Sequence, residues 1–415
     1  MSPQSPDRAN QRNALIAGFL GWTLDAFDYF VLVFVLAPVA HDFHKSVPEI
    51  AFALMASLVT RPVGAFLFGL LADRYGRRLP LMLDILLYSA VEILSGLAPG
   101  YKTFLALRFL YGIGMGGEWG IGASLAMESV PAKWRGVLSG VLQEGYALGY
   151  LLAAIAYGTV FPHWGWRALF FLGGAPALLT LFIRAKVKES AAWESSAARW
   201  TNWRGYFRSV AANGKRFAYI VLLMAMMNFI SHGTQDLYPT FLQQQRHFDP
   251  RAVSLITAIS MIGAILGGIL FGLYSDRAGR RRSMVIAALA AILVIPLWIL
   301  APGLAWIAVG AFAMQFMVQG AWGVVPAHIN ELSPDAVRGF FPGFAYQLGV
   351  LIASVAPPLE AILGHHFGYG MAMGVFAGIV LLGGSVVIGK GPEAHRVGFG
   401  AGVPPAGIAS AAKGG

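Results

Sequence analysis

The chain contains no cysteine, so neither a disulfide nor a thiolate metal site holds any part of it together. It is also poor in charge. Asp, Glu, Lys and Arg make up 12% of its 415 residues and hydrophobic residues 57%, against about a quarter charged in ordinary soluble domains. That imbalance excludes a soluble globular fold and predicts a protein that crosses a membrane many times. The chemistry of enzymes is equally thin. Gly112-Ile-Gly114-Met-Gly116-Gly117 has the spacing of a dinucleotide fingerprint, but no strand precedes it and no βαβ unit surrounds it, so close helix packing accounts for it better. His41 and His44 have no third ligand nearby, and no nucleophile elbow is present. Neither a metal nor an enzymatic site is expected.

What is present is a succession of apolar runs. Twelve are long enough for a bilayer, which takes about 20 residues. They cover approximately 13–40, 49–72, 79–98, 103–128, 137–160, 165–185, 216–243, 252–275, 283–301, 304–331, 337–363 and 366–389. The net charge of +10 suggests nucleic acid until its distribution is read. Of 30 Lys and Arg, 23 fall in alternate loops and the tails, 5 in the remaining loops and two, Arg61 and Arg108, inside runs. That is the positive-inside pattern, which places both termini in the cytoplasm of a cell (inner) membrane protein. Residues 1–185 form one six-helix half and 216–389 the other. Residues 186–215 join them with Lys186, Lys188, Arg199 and Arg204 among Trp193, Trp200 and Trp203, which suits a segment lying among lipid headgroups. Residues 390–415 are rich in Gly, Pro and Ala and read as a disordered cytoplasmic tail.

An internal repeat divides the chain. Gly69-Leu-Leu-Ala-Asp73-Arg74-Tyr-Gly76-Arg77-Arg78 recurs 203 residues later as Gly272-Leu-Tyr-Ser-Asp276-Arg277-Ala-Gly279-Arg280-Arg281. At the same displacement Glu128 meets Glu331, Trp119 meets Trp322, and Arg135-Gly136 meets Arg338-Gly339. One ungapped offset across several elements means two halves of common origin.

The polar residues inside the runs carry the function. Asn228, His232, Gln235 and Asp236 recur at helical spacing and form one expected stripe, with Pro239 beside it to bend the helix. Asp25 and Asp28 lie in the first run, Arg61 in the second, Arg108 and Glu118 in the fourth, Glu144 in the fifth and Gln347 in the eleventh. Each buried charge costs roughly 2.5–3.5 kcal/mol even on a lenient scale, so this number points to function. Arg108 with Glu118 has the alternative reading of a neutralising structural pair, and Asp84 and Glu92 are read as structural. Arg61 can offer a bidentate guanidinium fork to an anion. A desolvated carboxyl or an imidazole can take a proton near neutral pH. Asp25, Asp28, Asp236, Glu118 and Glu144 are the candidates for coupling, with the proton as the only coupling ion and no cofactor.

The stretch Asn-x-x-Ser-His-x-Thr-Gln-Asp-x-x-x-Thr at 228–240 resembles the signature of Jen-type lactate/pyruvate:proton symporters, in the sialate:proton symporter branch of the major facilitator superfamily. The resemblance implies an all-α membrane fold of 12 transmembrane helices in two pseudo-symmetric halves. It implies substrate contacts at Arg61, Asn228, His232, Gln235 and Gln347, although Val350 stands where the pattern has Asn. The repeated loop resembles the superfamily's cytoplasmic gate, with Asp73, Arg74, Arg77, Asp276, Arg277 and Arg280 latching helix ends. The implied activity is import of short monocarboxylates with protons, by a monomer whose partners are its substrate, protons and lipid, not nucleic acid. Aromatic-acid:proton symporters, which carry a similar Asp-x-x-Asp, sialic-acid symporters and a non-transporting carboxylate sensor are the alternatives.

Overall fold

The computed structural model describes residues 8–45, 47–197, 208, 210–238, 241–248, 250–394, 397 and 399, and contains no strand among them. In chain order the helices of the first half are α1 (Arg8–Phe34), α2 (Leu36–Asp42), α3 (Val47–Tyr75), α4 (Arg78–Gly96), α5 (Tyr101–Gly116), α6 (Glu118–Ser129), α7 (Arg135–Gln143), α8 (Gly145–Thr159), α9 (Phe161–Leu172) and α10 (Pro176–Lys186). A short α11 (Ala191–Ala197) follows. The second half comprises α12 (Gly214–Gln235), α13 (Pro250–Ala278), α14 (Arg280–Leu300), α15 (Gly303–Leu332), α16 (Phe341–Ala353), α17 (Ala356–Phe367) and α18 (Tyr369–Lys390).

Helices are the outcome because lipid offers no partner for a backbone N–H or C=O. Among the described residues nine segments are long and apolar enough to cross a bilayer, by length and composition. Three more crossings are each built from two shorter helices, α5–α6, α7–α8 and α16–α17, which meet at Gly117, Glu144 and Ser354–Val355. These are the runs at 103–128, 137–160 and 337–363, so twelve spans result. Counted in order, spans 4, 5 and 11 are interrupted, and so is span 6, between α9 and α10.

The packing repeats as the sequence does. Span 1 lies on span 5 and span 2 on span 4; span 7 lies on span 11 and span 8 on span 10. Spans 3 and 6 pair to one side of the first half, as spans 9 and 12 do in the second. The halves meet where α7 lies against α13 and α15, and where α16 lies against α3. Glycine makes this approach possible. A Cβ on Gly140 would stand 2.3 Å from the Gly268 carbonyl oxygen, and one on Gly120 2.4 Å from the Gly343 Cα. Backbone touches backbone there, as small residues allow between membrane helices. The meeting helices α7 and α16 both start from the face that carries the chain ends, called here the terminal face.

Residues 198–207 and 209 lie outside the described residues, and with them Arg199, Trp200, Trp203 and Arg204 of the expected headgroup segment. The tail differs from expectation where it is described. Glu393 caps the start of α14, and Phe399 packs on Arg135 and Arg338 with guanidinium-to-ring distances of 3.4 and 3.8 Å. A Gly- and Pro-rich composition did not exclude these two specific contacts. Residues 395–396, 398 and 400–415 lie outside the described residues.

Candidate substrate site and gate

Asp25 and Asp28 are one turn apart on α1, yet they face different neighbours. Arg61, from the middle of α3, reaches Asp25 with Nη2 at 3.4 Å from Oδ1. That is a loose contact, outside the range of a good charge-assisted bond. The same Nη2 lies 3.4 Å from the Met115 sulfur, the guanidinium stands 5.7 Å from the Tyr29 ring centre, and Nε has no hydrogen-bond partner among the described residues. Arg61 is therefore a buried fork that is only partly engaged. Asp28 is fully buried, and neither of its oxygens has a partner among the described residues.

Arg108 does not pair with Glu118. Its Nη2 binds Glu92 at 2.6 Å and Ser95 at 2.5 Å, with the Tyr111 ring 4.2 Å from the guanidinium. Ten residues of helix separate Arg108 from Glu118 by about 15 Å along the axis, too far for two side chains of one span. Glu118 points toward α1 instead, where a Cβ on Gly21 would stand 2.0 Å from its Oε1. Glu92, read from sequence as merely structural, is thus the counter-ion of a buried arginine. Asp84 is buried without a hydrogen-bond partner for its side chain among the described residues.

The polar stripe of span 7 divides. His232 Nδ1 and Asp236 Oδ2 are 2.9 Å apart, and both side chains are about one-third exposed, at 34% and 35%. Gln235 turns the other way and donates to Gln315 Oε1 on α15 at 2.8 Å. Asn228 is buried and donates to the Met224 carbonyl of its own helix at 2.8 Å. Helical spacing put these residues together, but the Asn amide found a local acceptor, as short polar side chains in helices do. Regular helix ends at Gln235, and Phe241–Gln245 forms a π-helical turn; Pro239 lies outside the described residues. In span 11, Gln347 is buried with its Oε1 without a partner among the described residues. Glu144 sits at the break of span 5 and lines a small pocket with Gln143, Tyr146, Gln235 and Gln319. That pocket brings Glu144 of one half to Gln235 of the other.

Aromatic rings close the middle. Trp119 lies 4.5 Å from Tyr346, and Trp22 stacks on Tyr146 at 5.7 Å, ring centre to ring centre. Trp22 is 6.3 Å from both Trp119 and Tyr346, and Trp322 approaches Tyr346 at 6.0 Å. Both halves contribute to this floor. Tyr29 and Tyr146 each lie in electrostatic range of both Arg61 and Asp236, which groups the arginine of one half and the carboxyl of the other around the same two tyrosines. Sequence reasoning missed these tyrosines and Gln315, because aromatics in an apolar run carry no signal until the halves are docked.

On the terminal face the repeated loops form a two-fold latch. Asp73 Oδ1 accepts from Arg77 at 2.7 Å and, across the interface, from the Gly339 N–H at 2.7 Å. Asp276 does the same in mirror fashion, accepting from Arg280 at 2.8 Å and from the Gly136 and Val137 N–H groups at 2.8 and 3.0 Å. Arg77 also binds Glu128 at 3.0 Å, and Arg280 binds Glu331 at 3.0 Å. Arg135 then reaches Glu331 and Arg338 reaches Glu128, each at 3.6 Å. Arg74 and Arg277, also expected in the gate, are exposed. Two further members went unread in the sequence: Glu189 accepts the Arg77 and Arg78 N–H groups at 2.9 and 3.1 Å, and Glu393 those of Arg280 and Arg281, both at 3.2 Å. Each carboxylate sits at a helix N-terminus, where the unsatisfied N–H groups favour an anion.

A family model described as Major Facilitator Superfamily matches residues 18–247 and 224–410. The chain belongs to that superfamily. Superfamily members are membrane transporters and not enzymes, which agrees with the multi-pass architecture and the absence of any nucleophile arrangement in the sequence. The chain is 30% identical over 380 residues to a carboxylic acid transporter protein homolog of Saccharomyces cerevisiae; 86% of the chain is matched, and it spans 62% of that relative's length. It is 28% identical over 392 residues to the sialic acid transporter NanX of Escherichia coli, covering 92% of the chain and 95% of the relative. A probable 4-methylmuconolactone transporter of Cupriavidus pinatubonensis is 30% identical, with 88% and 87% covered. Among solved structures, the proton:xylose symporter XylE superposes with a TM-score of 0.75 at 18% identity, over 95% of this chain and 98% of that one. At that identity the likeness speaks for the superfamily fold alone.

Proposed function

We propose that this superfamily member imports short-chain monocarboxylates such as lactate or pyruvate together with protons, by alternating access. The observation that carries the reading is the half-engaged Arg61, buried at midplane and held by Asp25 at only 3.4 Å. An incoming carboxylate makes a better bidentate partner than that single long contact. Once Arg61 turns to the substrate, Asp25 is left as a buried carboxylate without its cation. It then takes a proton, because an unpaired charge in this interior is costly. One anion and one proton enter together, and the loaded carrier keeps the net charge of the empty one. His232 with Asp236, and Glu144 and Gln235 in the neighbouring pocket, surround the same region from the second half. The matched relatives named for carboxylic acid, sialic acid and methylmuconolactone transport fit a substrate bearing a carboxyl or lactone group.

The excess of Lys and Arg assigns the terminal face to the cytoplasm. In this reading the closed latch seals the cytoplasmic side, and substrate reaches the one-third-exposed His232 and Asp236 from outside. A second reading has its own observation. The floor of Trp22, Trp119, Tyr146 and Tyr346 suits an aromatic or unsaturated ring acid, which would stack on it.

Uptake into proteoliposomes under an inward proton gradient tests both. Labelled lactate should accumulate, a protonophore should abolish the accumulation, and an imposed voltage should leave it unchanged. Accumulation of benzoate or nicotinate with none of lactate would establish the second reading. Uptake indifferent to the gradient would remove proton coupling.

A further inference from the structure

Span 11 holds a carboxyl that the scheme above does not use. Glu360, on α17, is fully buried, and neither oxygen has a hydrogen-bond partner among the described residues. Helix α17 packs against α18 and α12. The side chain reaches α12 at Gly233, where a Cβ would stand 3.3 Å from Glu360 Oε1 and 2.5 Å from the Phe376 ring. Only glycine leaves the room for the carboxyl and that ring to lie together against the backbone of span 7. Gly233 directly follows His232 and precedes Asp236 by three residues, so Glu360 stands just behind the His232–Asp236 pair.

The ionisable groups around it are few. On α12 they are His232 and the Asp236 carboxyl, whose charge acts on Glu360. On α18 only Tyr369, which lies against Gly364, and Lys390 at the far end are titratable. On α17 itself His365 and His366 are the others. No Arg or Lys occurs in 217–245 or 339–389, so no cation of these spans is placed to balance a carboxylate. Burying a carboxylate without a donor or a cation is costly, and taking up a proton removes that cost. Glu360 meets α12 at Gly233, the position next to His232, and the His232–Asp236 pair is one-third exposed.

We propose that Glu360 is a proton-binding residue of the transport cycle, loaded and unloaded through the His232–Asp236 pair as the outer halves of spans 7 and 11 move. The proton leaves the carboxyl oxygen of Glu360 for the imidazole or carboxylate of that pair, and returns by the same path. This rests on the proton-coupled reading above, and the test separates the two.

The experiment uses full-length protein in proteoliposomes and whichever acid the wild type exchanges. Counterflow reads substrate binding and reorientation; accumulation under a pH gradient reads coupling. A wild type without gradient-driven accumulation of any acid removes the coupled reading itself. If the wild type accumulates substrate, Glu360→Gln should keep counterflow within about two-fold and lose accumulation by at least ten-fold. Infrared difference spectra of the wild type across pH should show a carboxylic-acid C=O band that is absent from Glu360→Gln. Accumulation in Glu360→Gln equal to the wild type, with the band retained, overturns the proposal. Should the variant lose counterflow as well, Glu360→Asp decides: a shifted pH dependence of accumulation supports the role, and an unshifted one overturns it.

Discussion

Neutralising either Asp73 or Asp276 should open the terminal face. Asp73 accepts the Gly339 N–H of the opposite half at 2.7 Å, and Asp276 accepts those of Gly136 and Val137 at 2.8 and 3.0 Å. Asparagine keeps an acceptor oxygen but loses the charge, and a charge-assisted bond is about twice as strong as a neutral one, so each cross-half bond weakens by roughly 1–1.5 kcal/mol. Asp73→Asn and Asp276→Asn should each raise the open population at least about 5-fold, at a factor of ten per 1.4 kcal/mol.

The absence of native cysteine makes the measurement direct. Ala327 is fully buried in the small cluster of Ala123, Ala126, Met127 and Leu142 that the two halves share. A thiol at Ala327→Cys meets a membrane-impermeant maleimide only when the latch opens, and in fast exchange its labelling rate follows the open population. Both aspartate variants should label faster than the parent, with exposed Arg277→Ala equal to the parent. An unaltered rate in either aspartate variant, or acceleration by Arg277→Ala, would refute the account.

Three other outcomes follow from the site. Arg61→Lys keeps the charge and loses the fork, so the substrate KM in proteoliposome uptake should rise about ten-fold or more, since a hydrogen bond to a charged group contributes about 1.5–3 kcal/mol; an unchanged KM would make Arg61 purely structural. Asp236→Asn should retain substrate exchange and lose proton-driven accumulation, because it fixes the neutral form of one member of the His232 pair; intact accumulation would assign Asp236 to helix anchoring. Gly120→Ala places a Cβ 2.4 Å from the Gly343 backbone, where neither side can yield cheaply. It should wedge the halves apart and speed labelling of the same Ala327→Cys thiol, and an unaltered rate would show that the contact is slack.

How much of this could be read beforehand depended on whether a feature was local. The latch was legible because Gly69–Arg78 and its copy lie at one ungapped offset, and because Gly76 and Gly279, at φ of 93° and 92°, end their spans in the same tight turn. Glu189 and Glu393 complete that latch but lie far along the chain, one of them in a stretch whose composition reads as tail. Span 7 was recognisable by its polar residues, but helical spacing fixes only which residues share a face. It could not say that Asn228 would bond its own backbone while Gln235 reached Gln315. Glu92 was read as structural and Glu360 drew no reading, because an acid in an apolar run shows no partner until the spans are packed. Their meaning comes from a neighbour on another span: Arg108 for Glu92, and Gly233 for Glu360.

The offset of 203 also separates what the two halves must do alike from what they do differently. Asp73, Arg77, Glu128 and Arg135 reappear as Asp276, Arg280, Glu331 and Arg338, all charged in both copies. A latch that joins two halves across a pseudo-two-fold axis works with both sets in place. At midplane the charges are not repeated. Asp25, Asp28, Arg61, Arg108 and Glu118 correspond to Asn228, Ser231, Ala264, Ala311 and Ala321, and Glu144 corresponds to Gln347. The first half thus buries Asp25, Asp28, Asp84, Glu92, Glu118 and Glu144 among the spans that carry Arg61 and Arg108, while in spans 7 and 11 of the second half the acids are Asp236 and Glu360. Carboxyls outnumber guanidiniums there by six to two. In the proposed scheme the substrate competes for one of those guanidiniums. Arg61, with its single 3.4 Å contact, is the one placed to be released; Arg108, bound at 2.6 and 2.5 Å, is not.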